Sequence, residues 1–196
     1  MRHTIALLII DVLVDLFERV PKLSAQREHF VSATNHLSAA FRSAGQPVIW
    51  VRQEFRPDLS DAFLDMRRRG ISITIAGTEG ASILPELTRA PTDHVVVKKR
   101  YSAFFGTELD ALLATLGVRE LVLAGVNTHA CVRTTAIDAY QRDLDVTLAS
   151  ECVGSYDDEH HNVTMKYLDG KIARLASSSE IVERLRVRAA GERWPS

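Results

Sequence analysis

The sequence predicts an α/β protein: a three-layer α/β/α sandwich around a mostly parallel, doubly wound, six-stranded sheet of Rossmann-like type. Three observations carry that prediction. Short segments recur that are apolar along their length rather than at alternate positions, as in strands buried on both faces. Between them lie segments with apolar residues at three-and-four spacing, as in helices that cover a sheet. No internal repeat or low-complexity stretch breaks the alternation, so the 196 residues read as one domain, 1–196, with a peripheral tail after about residue 190.

The elements follow in order. Residues 5–10 (Ile-Ala-Leu-Leu-Ile-Ile) form the first strand. Arg2 ahead of the apolar stretch 4–13 has the faint look of a secretory leader. However, Asp11 and Asp15 interrupt it, no small-residue cleavage site follows, and a membrane span needs roughly 20 apolar residues. A helix over 27–44 carries Phe30, Val31, Ala33, Leu37, Ala40 and Phe41 on its apolar side, and 47–51 is the second strand. The connection 53–93 is too long for a plain crossover. It is expected to hold a short helix over 62–69 and a Gly-rich excursion over 76–80, and connections of this kind form lids or pocket walls. Residues 95–97 give the third strand. A helix over 107–116 follows, with Leu109, Leu112, Leu113 and Leu116 on one face and Thr107 as its N-cap. The remaining elements are a strand over 121–126, a helix over 130–142, a less apolar strand over 145–149, a helix over 158–168, a weak strand over 171–175 and a closing helix over 178–188.

Composition removes several function classes. Hydrophobic residues at 46% and charged ones at 25% are ordinary for a soluble globular protein and exclude a disordered or collagen-like chain. Lys plus Arg number 24 against 25 Asp plus Glu, so there is no electrostatic footprint for nucleic acid or a membrane surface. Two cysteines, Cys131 and Cys152, cannot build a secreted disulfide scaffold and point to a reduced, cytoplasmic protein. No Gly-x-Gly-x-x-Gly follows the first strand, which weighs against nucleotide binding.

In open parallel sheets ligands bind beyond the carboxyl ends of the strands. The reactive residues there are Asp11 after the first strand, Lys98 after the third and Cys131 shortly after the fourth. A carboxylate, an ammonium and a thiol are the parts of an activated cysteine nucleophile. Each also has an ordinary reading: Asp as a turn former, Lys98-Lys99-Arg100 as a solvated basic run, and cysteine as inert packing, which is the expectation for Cys152. Position favours Cys131. The stretch 125–128 leaves a strand and opens a helix capped by Thr128 or Asn127, which puts Cys131 in the first turn. Free N–H groups and the helix dipole there lower a thiol pKa from about 8.5 and can also hold an oxyanion.

These residues stand in longer motifs. Asp11 is followed by Asp15-Leu16-Phe17. Residues 98–107 read Lys-Lys-Arg-Tyr-Ser-Ala-Phe-Phe-Gly-Thr, and 125–136 read Gly-Val-Asn-Thr-His-Ala-Cys-Val-Arg-Thr-Thr-Ala. With the turn Gly77-Thr78-Glu79-Gly80, this order and spacing over about residues 5–177 resembles the isochorismatase-like cysteine hydrolases. The resemblance implies a triad of Asp11, Lys98 and Cys131. Lys98 aligns two positions before the Arg of Arg-Tyr-Ser-Ala-Phe, so Lys99 is not implicated, and alternation in an extended segment turns the two lysines opposite ways. It further implies a cis peptide at Val126–Asn127, an oxyanion hole made by the N–H groups of Asn127 and Cys131, and a homo-oligomer, dimer or tetramer.

Nicotinamidases of that family carry a metal held by Asp and His after the second strand. Residues 51–58 here, Val-Arg-Gln-Glu-Phe-Arg-Pro-Asp, contain no histidine, and none of the 7 histidines has ligand spacing. No metal and no cofactor are expected, and nicotinamidase activity is disfavoured. His129 is assigned to the helix start, with a place in the pocket lining as the alternative. The Asn-Thr-His-Ala-Cys form of the motif looks closer to ureido or carbamoyl amidohydrolases. The expected function is therefore thioester-forming hydrolysis of a C–N bond in a small amide, ureido or carbamoyl substrate. The alternatives are an isochorismatase-type vinyl-ether hydrolase and a catalytically idle binding protein that keeps the fold. Candidate pocket residues are Phe17, Gln53, Phe55, Tyr101, Phe105 and Tyr156, with Gln53 or Arg56 available to orient a polar substrate.

Overall fold

The computed structural model describes residues 4–190. Six parallel strands form the sheet: β1 Thr4–Ile10, β2 Val48–Gln53, β3 His94–Lys98, β4 Val118–Val126, β5 Asp145–Gly154 and β6 Arg174–Ala176. Their order is β3-β2-β1-β4-β5-β6. The chain winds outward from β1 to β3, returns to β4 and winds out the other way, so the topological switch falls between β1 and β4.

Burial on both faces accounts for the unbroken apolar runs. Ile5, Leu7 and Ile9 of β1 enter one core with Phe30, Leu37 and Phe41 of α3 (Arg27–Ser43) and Ile181, Val182 and Leu185 of α8 (Ser178–Ala190). Ala6, Leu8 and Ile10 enter the other. There they meet Leu109 and Leu113 of α5 (Leu109–Thr115), Ala136 and Ala139 of α6 (Arg133–Tyr140), and Leu168 of α7 (Asp158–Leu168). Period-two alternation on a strand thus fills two opposed cores, the layered arrangement the sequence predicts. Among the described residues no helix is long and apolar enough to cross a membrane.

Several boundaries differ from expectation. Two short helices, α1 Val14–Arg19 and α2 Pro21–Ser24, occupy a stretch with no helical signal; neither has a side-chain cap, and each is held by packing through Phe17 and Leu23. The weak last strand lies at Arg174–Ala176 rather than 171–175. Within the long connection, α4 covers Leu64–Arg69. Thr107 does act as a start signal, accepting the Leu109 N–H at 3.2 Å. The tail after residue 190 lies outside the described residues.

Two glycines set the geometry at the carboxyl end of the sheet. Gly125 (φ 121°) pairs with Ile10, and a Cβ there would sit 2.0 Å from the Ile10 carbonyl oxygen. Only glycine lets β4 close on the end of β1. At Gly80 a Cβ would lie 2.3 Å from the Asp15 carboxyl carbon. Asp15 is buried and accepts the Thr74 N–H at 2.7 Å while pairing with Arg19 at 2.8 Å. The two parts of the sequence motif, Asp15 and the Gly-rich turn, are therefore one clamp that ties the long connection to α1.

Candidate active site

Asp11 is the first residue beyond β1 and adopts φ 54°, which turns the chain off the sheet. Its N–H donates to the Val51 carbonyl at 2.8 Å, and its Oδ1 accepts the Gln53 N–H at 2.7 Å. Lys98, the last residue of β3, reaches past β2 so that its Nζ lies 2.7 Å from Asp11 Oδ2. The same ammonium donates to the Arg100 carbonyl at 3.1 Å and to Cys131 Sγ at 3.3 Å. Lys99 turns the other way, to the Glu54 carbonyl and the Asp61 carboxylate. Asp11 and Lys98 are 1% and 0% exposed and Cys131 6%, so the three groups share one desolvated space. The contact of Lys98 with Oδ2 is an ion pair rather than a directed hydrogen bond, and Oδ2 keeps its hydrogen-bonding capacity free.

Cys131 is not in the first turn of an α-helix. Residues Thr128–Val132 form a single π-helical turn ahead of α6, and no side chain caps it. Asn127 makes no capping bond, and the Thr128 hydroxyl instead donates to the Gly154 carbonyl at 2.9 Å, anchoring the turn to β5. The peptide bond Val126–Asn127 at its entrance is cis. The electrostatics also depart from expectation. Burial pushes the Cys131 thiol up to about 12, and the Asp11 charge adds to that rise while Lys98 opposes it. The resting group is a thiol, not a standing thiolate. Burial alone would push the Lys98 ammonium down, but the Asp11 charge, with the contact to Cys131 Sγ, outweighs it and holds Lys98 above its ordinary value.

A cleft of about 440 Å³ opens on this group, with Asp11, Val126, Asn127 and Cys131 at its base. Gln53, Tyr101 and Tyr156 line it, as expected for three of the pocket candidates. Phe17, Phe55 and Phe105 do not. Phe17 is fully buried against Phe30, with ring centres 5.6 Å apart, because the half-turn after Asp15 points Leu16, not Phe17, into the cleft. Phe55 is fully buried and packs edge-on against Phe63. Phe105 stands 65% exposed outside the cleft. The long connection supports the wall without forming it, since Phe63 packs against Tyr101 at 4.9 Å. His129 also faces the cleft, its Nδ1 2.7 Å from the Ser155 hydroxyl and its ring edge-on to Tyr156; burial pushes its pKa down, so the ring is neutral near pH 7. Sequence reasoning missed Arg133, Thr134 and Ile137. With Ala130 they fall at three-and-four spacing, so they form one helical face, and that spacing is the signal that finds them.

Besides Asp11 Oδ2, two buried polar atoms at the cleft have no hydrogen-bond partner among the described residues: Gln53 Nε2 and Asn127 Oδ1. Among the described residues no group of three His, Cys, Asp or Glu side chains converges on a point that could hold a metal ion. A larger groove, about 1140 Å³, lies at the amino end of β4 and β5; its buried carboxylate, Glu120, is already paired with Arg184, and among the described residues no cysteine, serine or histidine lines it.

Comparison with known proteins fits this geometry. The sequence profile of the Isochorismatase domain matches residues 5–180. A crystal structure of an isochorismatase family protein from Desulfovibrio vulgaris is 30% identical, superposes with a TM-score of 0.83, and covers 94% of this chain and 100% of that one. A relative from Arabidopsis thaliana described as a probable inactive nicotinamidase is 34% identical over 174 residues, 85% of this chain and 87% of that protein. A ureidoacrylate amidohydrolase from Methylorubrum extorquens is 36% identical over 121 residues, 54% of this chain and 49% of that protein.

Proposed function

The chain belongs to the isochorismatase family, and from that premise we propose that it is a cysteine-dependent hydrolase. It cleaves a C–N bond of a small amide, ureide or carbamoyl compound through a thioester. The observation that carries this reading is the buried contact set Asp11–Lys98–Cys131, with Lys98 Nζ 2.7 Å from the carboxylate and 3.3 Å from the sulfur, at the base of an open cleft.

In this mechanism Asp11 Oδ2 takes the Cys131 proton as Sγ attacks the substrate carbonyl carbon. The oxyanion is held by the N–H groups of Asn127 and Cys131, each such donor being worth roughly 10²–10³ in rate. The C–N bond breaks with its electron pair on nitrogen, Asp11 returns the proton to that nitrogen, and ammonia or an amine leaves. Asp11 then deprotonates a water, which adds to the thioester carbonyl; the C–S bond breaks with its electron pair on sulfur, Asp11 returns the proton to Sγ, and the acid product leaves with the Cys131 thiol and the Asp11 carboxylate restored. The proposal also takes 1–196 as one catalytic domain. Two free, buried cysteines support a reducing, cytoplasmic setting.

A panel of small amides, ureides and carbamates, assayed for ammonia release and by intact mass for a covalent acyl-enzyme, tests the reading. The expected result is turnover by the native chain, an acyl adduct on Cys131, and neither in a folded Cys131→Ala variant. Full activity in Cys131→Ala, or an idle native chain that binds panel compounds without acylation, overturns it.

A further inference from the structure

Arg133 is half-buried at the cleft, and among the described residues no hydrogen bond or ion pair of the protein engages its guanidinium. Its one contact is with the ring of Tyr167, 5.0 Å away. The contrast with other half-buried arginines is sharp. Arg27, Arg42, Arg52 and Arg184 each reach a carboxylate, and Arg100 reaches two backbone carbonyls. A partly desolvated guanidinium with five donors and no acceptor is costly unless something else supplies the acceptor.

Among the described residues the rest of the cleft has no charge to offer it. Asp11 is the acidic residue among those lining the cleft, and Lys98 already neutralises it. Burial pushes the His129 pKa down and keeps the ring neutral near pH 7. Among the described residues Arg133 is thus the one uncompensated charge facing the space in front of Cys131. Deeper in, Gln53 and Asn127 each present a buried side-chain amide with an unpartnered atom, Nε2 and Oδ1. Whichever way either amide is turned, the pair can offer donors and acceptors to an N–H and C=O group. The cleft is polar and amide-reading at its base and cationic at its side.

We infer that the substrate is an acid: a small amide or ureide carrying a carboxylate, with Arg133 as the residue that binds the carboxylate and selects for it. This rests on the amidohydrolase reading for what happens at the base of the cleft, but its test does not need turnover. Iodoacetate and iodoacetamide share a leaving group and differ in charge, so their relative rates at Cys131, resolved from Cys152 by peptide mapping, report whether the cleft favours an anion. At Cys131 the acetate-to-acetamide rate ratio should exceed that of glutathione roughly tenfold, the size of one partly screened Arg–carboxylate contact. Arg133→Gln should remove most of that excess and Arg133→Lys should keep a good part of it. In the native chain, high salt should collapse it without any substitution. A ratio equal to that of glutathione, insensitive to salt, or unchanged in a folded Arg133→Gln variant overturns the inference. If panel amides are hydrolysed while the ratio is flat, the inference fails and the amidohydrolase reading stands. A charge-selective ratio with no amide hydrolysed has the reverse meaning.

Discussion

Lys98→Met isolates the electrostatic core of the site. In the native chain the ammonium lies 2.7 Å from Asp11 Oδ2, with both side chains withdrawn from solvent. At an effective dielectric of about 20 that separation corresponds to an attraction of about 6 kcal/mol, against which stands the cost of desolvating both ions. Removing the lysine alone leaves Asp11 buried with one hydrogen bond, from the Gln53 N–H. The expected loss near neutral pH is about 3–5 kcal/mol, the range found when one partner of a buried pair is deleted. For a chain of this size that is a fall in melting temperature of roughly 6–20 °C. A packing defect would persist if the carboxylate were removed as well; the cost of a stranded carboxylate would not.

Denaturant melts of both chains near neutral pH measure the deficit of the single variant. The double variant Asp11→Asn/Lys98→Met, which strands no charge, should recover most of the loss and closes a double-mutant cycle. A deficit below about 1 kcal/mol, or a full-sized one that the double variant does not recover, would refute the reasoning.

Three further outcomes are expected. The Cys131 thiol, raised from 9.0 to about 12, favours the folded state below pH 9 and loses that contribution as pH climbs towards 12; Cys131→Ala should flatten the onset of alkaline unfolding near pH 9, and equal onsets in both chains would contradict this. Gly125→Ala drives a Cβ to 2.0 Å from the Ile10 carbonyl oxygen and should cost more than about 3 kcal/mol together with activity, whereas an unchanged melt would mean the strands part freely there. Asp15→Ala removes the acceptor of the buried Thr74 N–H and the partner of Arg19, so amide exchange at Thr74 should quicken strongly while β1 stays protected; equal exchange rates at Thr74 would show that Asp15 does not hold the long connection.

What could be read from the sequence was whatever depends on repeated burial. β1 and β4 announce themselves because both faces are covered, and α3 because its apolar stripe fills one core. The ends of β1 and β3 and the turn after β4 were legible as places for chemistry because all three lie beyond the carboxyl ends of parallel strands, although β3 is the edge strand and Lys98 has to reach past β2. By contrast, α1 and α2 are too short to show a period and have no caps. Leu16 and Phe17 differ by one step in a short helix, and the bulkier residue drew the assignment that geometry gives to its neighbour. Phe55 and Phe105 sit in loops whose direction no local pattern encodes. Arg133, Thr134 and Ile137 carry a helical spacing, yet a search for apolar stripes passes over a polar one.

The same contrast explains the reversal at Cys131. A charge near a helix terminus is worth about 0.3–1 kcal/mol, up to about 2 where it is partly buried. A thiol moved from 9.0 to about 12 is held by about 4 kcal/mol, so burial wins over any terminus effect. That outcome suits the proposed chemistry better than a standing thiolate would. Asp11 carboxylate, Lys98 ammonium and Cys131 thiol sum to zero charge, and so do the protonated Asp11, the ammonium and the thiolate that follow proton transfer. The negative charge only moves from an oxygen 2.7 Å from Lys98 Nζ to a sulfur 3.3 Å from it. Because one fixed ammonium serves both positions, little has to reorganise in a desolvated space, which is where preorganised charge is most effective. The buried group stays balanced throughout, and the positive charge of Arg133 is left over for whatever enters the cleft.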